Sequence, residues 1–357
     1  MKLGLGLYRH MLTAENFRFA RQAGATHIVA HLVDYFNKEP RIPTSTSTGQ
    51  GWGISDNRDR LWTVEELADL KQAIQAEGLE LAAIENFDPS HWYDVLLDGP
   101  RKQEQLENLK TTIRRLGQVG IPCMGYNFSM AGVWGHVEGP WARGGAESVA
   151  FLGPAGPAET PIPQGMVWNM VYDPDAPEGT IGSVSHEQLW QRLTDFLAAV
   201  LPVAEEAGVR LAAHPDDPPM PTIRGTARLV YQPDYYQKLL DIKPSHYNGL
   251  EFCLGSLAEM TDGDIYEVID HYSRQDKLCY VHCRNVRGKV PHYEETFIDE
   301  GDIDVVRAMR ILRKNNFNGV IIPDHTPQMS CAAPWHAGMA YALGYLKAVV
   351  AMIEAEG

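Results

Sequence analysis

Four residues able to bind a divalent cation, His214, Cys253, His282 and Asp324, close four successive strand-like runs at 209–214, 249–253, 277–282 and 319–324. Each run passes through apolar residues before it reaches its donor. One such ending carries little weight, because a His or Cys on an apolar segment is commonly a satisfied core residue. Four in a row, each one strand–helix unit apart, are hard to produce by packing alone. They point to one metal centre at the C-terminal mouth of a barrel. Two imidazoles, a thiolate and a carboxylate suit a first-row divalent metal rather than Mg2+ or Ca2+, and ligand softness taken alone favours zinc or iron. Such a centre is either structural and closed or catalytic with open positions. The polar groups beside the donors favour catalysis. His214 runs into Pro215-Asp216-Asp217-Pro218-Pro219, a rigid turn presenting two carboxylates; Arg284 and Asn285 follow His282, and His325 follows Asp324. An arginine beside a metal is the expected clamp for a substrate carboxylate, because its planar fork binds both oxygens.

The elements that must position these donors alternate along the whole chain. Strand-like and helix-like segments form eight pairs, which predict a (β/α)8 TIM barrel as a single domain over 1–357. Strands are expected at 3–7, 26–32, 79–86 and 122–128, then up to His214, Cys253, Asn285 and Asp324. Helices are expected at 13–24, from Thr63, at 100–120, from Ser185, and near 234–242, 264–273, 302–316 and 338–354. Thr63-Val-Glu-Glu66 and Ser185-His-Glu-Gln188 both fit the reciprocal capping pattern that starts a helix. A doubly wound open sheet is the alternative, but its Gly-rich phosphate turn after the first strand is absent, since Gly4 and Gly6 lie inside the strand. Long insertions at 36–61 and 129–184 follow the second and fourth strands, so both belong on the active-site face. The second carries Trp134, Trp141 and Trp168, and a loop of this length reads as a lid or a subunit contact.

Side chains alternate across a strand, so His282 shares a face with Tyr280 and Arg284, while Cys279 and Cys283 turn toward the helices. By the same alternation Glu251 lies below Cys253 in the barrel interior. His31 enters the mouth or joins a polar layer, whereas His91, His186, His246, His271 and His292 read as surface or capping residues. Trp52 and Trp62 read as packing. The 357-residue chain has a formal net charge of −15, which argues against a nucleic-acid-binding surface. It has no uninterrupted apolar run of 18 residues, so no membrane span is expected, and its first residues lack a signal-peptide pattern. Its five cysteines read as free thiols of a reducing cytoplasm rather than a disulfide framework.

Taken in order, His214-Pro-Asp-Asp-Pro-Pro219, Phe252-Cys-Leu-Gly-Ser256, Val281-His-Cys-Arg-Asn-Val286 and Pro323-Asp-His325 resemble the successive signatures of the mannonate dehydratase family. Tyr126-Asn-Phe128, Arg21-Gln-Ala-Gly-Ala25 and Glu85 fit the same pattern. The resemblance covers most of the barrel and neither insertion. It implies a barrel of the xylose-isomerase-like group with Mn2+, Fe2+ or another first-row divalent metal. The activity it implies is dehydration of D-mannonate to 2-keto-3-deoxy-D-gluconate in hexuronate catabolism, by a homo-oligomer. On this likeness His214, Cys253, His282 and Asp324 are the metal ligands and His325 the acid/base residue. Arg284, Asn285, Asn127 and Glu85 line the sugar-acid site; apart from the likeness, the turn at Asp216 and Asp217 offers two carboxylates that either bind substrate or cap the following loop. The chain departs from the family at 326–336, where His336 takes the place of a catalytic tyrosine and Trp335 that of a glycine. This departure bears on the substrate more than on the metal. It keeps open a metal-dependent sugar isomerase or epimerase and a non-catalytic sugar-acid binder.

Overall fold

Eight short apolar runs pair in parallel and close on themselves. In the computed structural model, which describes residues 1–36, 54–55 and 60–356, Lys2–Leu7 pairs on one side with His27–Ala30 and on the other with Val320–Ile322. Glu80–Glu85, Cys123–Tyr126, Arg210–Ala213, Asn248–Cys253 and Leu278–His282 complete the ring. The strands are covered by helices outside and by one another inside, so they are buried on both faces rather than alternately. Asn248–Cys253, for example, is buried throughout, its polar Asn248 and Glu251 included. This is the predicted (β/α)8 barrel, and four of its strands deliver the predicted donors to one end.

Local signals fix the helices that brace those strands. Thr63 and Glu66 exchange hydrogen bonds at the start of Val64–Ala76, and Ser185 and Gln188 do the same before His186–Ala207. The last helix, Pro334–Ala355, is by length and composition long and apolar enough to cross a membrane. A search for uninterrupted apolar runs misses it because Lys347 and Glu354 interrupt the sequence. In the fold it is the eighth barrel helix, and its Met339, Leu343, Leu346, Val349 and Ile353 enter the common core.

Three elements depart from expectation. The seventh strand stops at His282 instead of running on to Asn285. Asn285 begins a separate hairpin, Asn285–Lys289 with His292–Thr296. Its side chain ties the base of that excursion: the amide nitrogen donates to the Ile298 and Ile303 carbonyls, both at 2.9 Å, and the amide oxygen accepts from the Ile303 N–H at 3.0 Å. Second, the 129–184 insertion contributes His136–Ala142 and Ala146–Phe151, which join the hairpin in a four-stranded antiparallel sheet beside the barrel mouth. Third, a short helix, Leu254–Glu259, follows Cys253 directly. Most of the 36–61 insertion, Trp52 included, lies outside the described residues.

The barrel interior below the mouth is filled by Val29, Ala83, Ala212, Tyr280, Val320 and Ile322. Cys279 packs against this cluster and Cys283 against the helices. The expectation that both thiols face the helices fails for Cys279 because the register shifts between Leu250 and Glu251, opposite it. Gly125 is required where it stands. A Cβ there would come within 2.6 Å of the Glu251 carboxylate and collide with the Tyr280 hydroxyl, so the bare backbone makes room for both under the mouth.

Candidate metal centre and active site

The four donors converge. Donor atoms of His214, Cys253 and His282 all lie within 4.8 Å of one another. The Asp324 carboxylate joins them, 3.6 Å from His282 Nδ1 and 3.9 Å from Cys253 Sγ. Four donors about 2.0–2.3 Å from a shared ion stand roughly 3.4 Å apart, so small movements suffice to close them on a cation. Each ring is oriented for this. His214 Nδ1 lies 2.6 Å from the Pro215 carbonyl, so it donates there and leaves the other nitrogen for the ion. His282 Nε2 lies 3.1 Å from Glu251 and 3.3 Å from Glu85, and its Nδ1 lies 3.6 Å from Asp324; both nitrogens are buried and neither makes a hydrogen bond. A carboxylate behind a ligating imidazole fixes its tautomer and raises its basicity. The Cys253 sulfur lies 3.4 Å from the Ser256 N–H and 3.2 Å from its hydroxyl.

The protonation states match this geometry. Burial pushes the Cys253 thiol up, but the Arg284 guanidinium and the two imidazoles bring it down to about 6. Burial works against the charge on Asp324 as well, yet His325 and His282 hold it well below the usual carboxylate range. Burial opposes a proton on His214, and Glu251 and Cys253 outweigh it, lifting the ring to about 9. A divalent cation takes the place of such protons when the ligands deprotonate. Glu85, Glu251 and His282 form a second group close enough to hold a cation. We assign these two carboxylates to His282 Nε2, because the first group contains a thiolate and two imidazoles, the softer set.

Above the donors lies a cavity of about 680 Å3 that includes Glu85, Asn127, Asp217, Arg284, Asp324 and His325 in its walls. His325 stands beside the centre with Nδ1 3.0 Å from Glu295 and Nε2 3.5 Å from Asp324. Burial disfavours its charge, but Asp324 and Glu295 overcome this and raise it to about 9. Asn127 donates to the Pro215 carbonyl at 3.1 Å and accepts from Trp168 Nε1 at 3.0 Å, which ties the second insertion to the fourth strand.

Several expected contacts are not made. Arg284 is fully buried, and its fork is taken by protein carboxylates: Glu295 and Asp217, each at 2.7 Å, and Glu259 at 2.9 Å. It is a hub that gathers anions rather than an open clamp. Asp217 is likewise committed, to Arg284 and to the Tyr293 hydroxyl at 2.7 Å. Asp216 accepts from the Leu229 and Val230 N–H groups and pairs with Arg228, outside the cavity. Asn285 is spent on the hairpin base described above. His336 turns to Asn16, 3.0 Å away, and its ring braces Trp335, which faces the cavity in its place. His91, read as a surface or capping residue, is buried with Nε2 3.1 Å from the Arg60 carbonyl. His31 does enter the mouth, 3.6 Å from Glu85. Glu259 and Glu295 escaped the sequence reading. Glu295 follows a turn signal, Gly288-Lys-Val-Pro291, that marks a hairpin; nothing near Glu259 distinguishes it.

Replacing Arg284 with alanine leaves three buried carboxylates without their cation and is expected to cost about 3–5 kcal/mol. Urea denaturation of the metal-free protein measures this, and a loss below about 1 kcal/mol contradicts the hub. Replacing His336 with alanine is expected to cost about 1 kcal/mol of stability, the worth of one hydrogen bond. Because it sits behind Trp335, kcat should stay within about threefold, whereas loss of an acid/base residue lowers it 10²–10⁴-fold.

Fold and donors together define a closed parallel barrel whose C-terminal mouth gathers side chains able to hold a cation. A xylose isomerase domain protein from Planctomyces limnophilus shares this fold alone, at a TM-score of 0.58 with 12% identity over 99% of each chain. Much more similar is the crystal structure of mannonate dehydratase from Streptococcus suis serotype 2, with a TM-score of 0.80 and 25% identity over 100% of this chain and 94% of that one. Mannonate dehydratase of Streptococcus pneumoniae (strain 70585) is 32% identical over 275 residues, 74% of each protein. The family model for D-mannonate dehydratase (UxuA) matches residues 15–145 and 179–355. The chain belongs to the D-mannonate dehydratase (UxuA) family, and it is a carbon–oxygen lyase of the hydro-lyase class. The match runs through the first insertion and into the second, beyond what the motifs alone cover, and leaves 146–178 unmatched.

Proposed function

We propose that the protein removes water from a sugar acid, D-mannonate or a close relative, to give a 2-keto-3-deoxy acid, with Mn2+ or a similar first-row divalent cation at His214, Cys253, His282 and Asp324. The observation that carries this reading is the convergence of those four donors beside His325 at the floor of one cavity. A bound divalent cation supplies electrostatic stabilisation for the enediolate that develops on the substrate carboxylate when the C2 proton leaves. The C2 proton passes to a base of the cavity wall, a role we give to the His31 imidazole, and His325, oriented through Nδ1 by Glu295, gives a proton to the C3 oxygen, which departs as water. Glu85 and Asn127 stand in the walls as hydrogen-bonding groups for substrate hydroxyls, and Trp168 and Trp335 restrict access of water. The enol so formed becomes the 2-keto acid.

The free thiols and the family likeness support one barrel domain working in the cytoplasm as a homo-oligomer. Closure of the Arg284 fork by Asp217, Glu259 and Glu295 removes one local argument for an acid substrate, so isomerisation of a neutral sugar is the second reading. An assay of 2-keto-acid formation from C6 and C5 aldonates, with neutral sugars alongside and Mn2+ present, separates them. Keto acid from an aldonate supports the dehydratase; conversion of neutral sugars alone sinks it.

A further inference from the structure

The cavity is large for the substrate its relatives are named for. A six-carbon sugar acid displaces roughly 150–200 Å3, several times the ≈30 Å3 share of a water in the liquid. The cavity measures about 680 Å3, a size suited to drug-sized ligands, for which pockets run roughly 300–1,000 Å3.

Its two ends differ in chemistry. The floor carries the metal donors, His325 and the carboxylate network. The outer part is walled by flat rings with polar groups between them: Trp168 and Trp335, with Glu147, Ser148 and Gln328. Both indoles are held. Trp168 donates to Asn127 at 3.0 Å and stands 5.5 Å from the Tyr35 ring. Trp335 stands 4.9 Å from His336 and 6.0 Å from Phe19. Indole faces interleaved with hydrogen-bonding groups fit a sugar ring, which has an apolar C–H face and a hydroxyl rim. Glu147, Ser148 and Trp168 also belong to residues 146–178, the stretch the family model leaves unmatched. Gln328 and Trp335 lie within the matched stretch 179–355, so the outer wall combines residues inside and outside the family match.

We infer that the outer cavity is a subsite for a second sugar ring, so that the preferred substrate is an aldonate carrying a glycosyl group on its distal hydroxyls. The inference rests on the dehydratase reading for the chemistry at the floor, and on the outer wall alone for the added ring. The test compares D-mannonate with mannonates glycosylated at O4 or O6, using the Mn2+-loaded protein. At least one glycosylated acid is expected to show a kcat/KM tenfold or more above that of D-mannonate, and Trp335→Ala is expected to reduce that ratio at least fivefold. Equal or better turnover of plain D-mannonate than of every glycosylated acid overturns the subsite. Quenching of tryptophan fluorescence reads the same comparison without turnover: tighter binding of a glycosylated acid supports the subsite, and equal binding overturns it. Preferential binding with no turnover of any acid counts against the dehydratase reading and leaves the subsite standing.

Discussion

Cys253→Ala is expected to strip the protein of retained divalent metal and to lower kcat/KM on its sugar acid more than about 100-fold, since loss of even an outer partner of a ligand typically costs 10–100-fold. The side chain is fully buried, and its sulfur faces Asp324, His214 and His282. Removing it takes away the softest donor and one negative charge, and leaves two imidazoles whose protons a cation must displace. Metal content after dialysis, by elemental analysis, gives the first readout and steady-state kinetics the second. Full metal content in the variant would place the ion elsewhere, with Glu85, Glu251 and His282 as the nearest other donors among the described residues.

His325→Asn separates chemistry from metal binding. The ring stands outside the cluster of donors, tethered to Glu295 at 3.0 Å, and faces the cavity. Metal content should therefore hold near the wild-type value while kcat falls about 10²–10⁴-fold, the usual worth of a positioned acid/base group. KM should change little, because the proton carried by this residue matters in the transition state rather than in binding. A kcat within tenfold of wild type would move the acid/base role to another residue of the mouth, with Tyr8 and His31 in reach.

The donors were legible in the sequence because each ends a strand, and strand ends are the positions that a barrel's geometry fixes most tightly. Side-chain alternation placed Glu251 under Cys253, and the capping patterns at Thr63 and Ser185 gave two helix starts to within a residue. What failed lies in the connections. Arg284 reads as a clamp on local grounds, but the carboxylates that close it come from the loop after the fifth strand, a short helix after the sixth and a hairpin after the seventh. No linear pattern ties Asp217, Glu259 and Glu295 together. His336 fills the expected position in the chain, yet the helix beginning at Pro334 turns Trp335 to the cavity and His336 to Asn16. One residue along a helix is a rotation of about 100°, enough to exchange a catalytic neighbour for a packing one.

If dehydration occurs at the four-donor centre, turnover must follow metal loading, and a titration reads this. Protein stripped with a chelator is given Mn2+ in fractional equivalents, and 2-keto acid formed from D-mannonate or the best aldonate is followed at each point. Turnover is expected to be absent before addition, to rise linearly, and to saturate at one equivalent per chain. Undiminished turnover by the stripped protein, or none at any metal loading, would contradict dehydration at this centre.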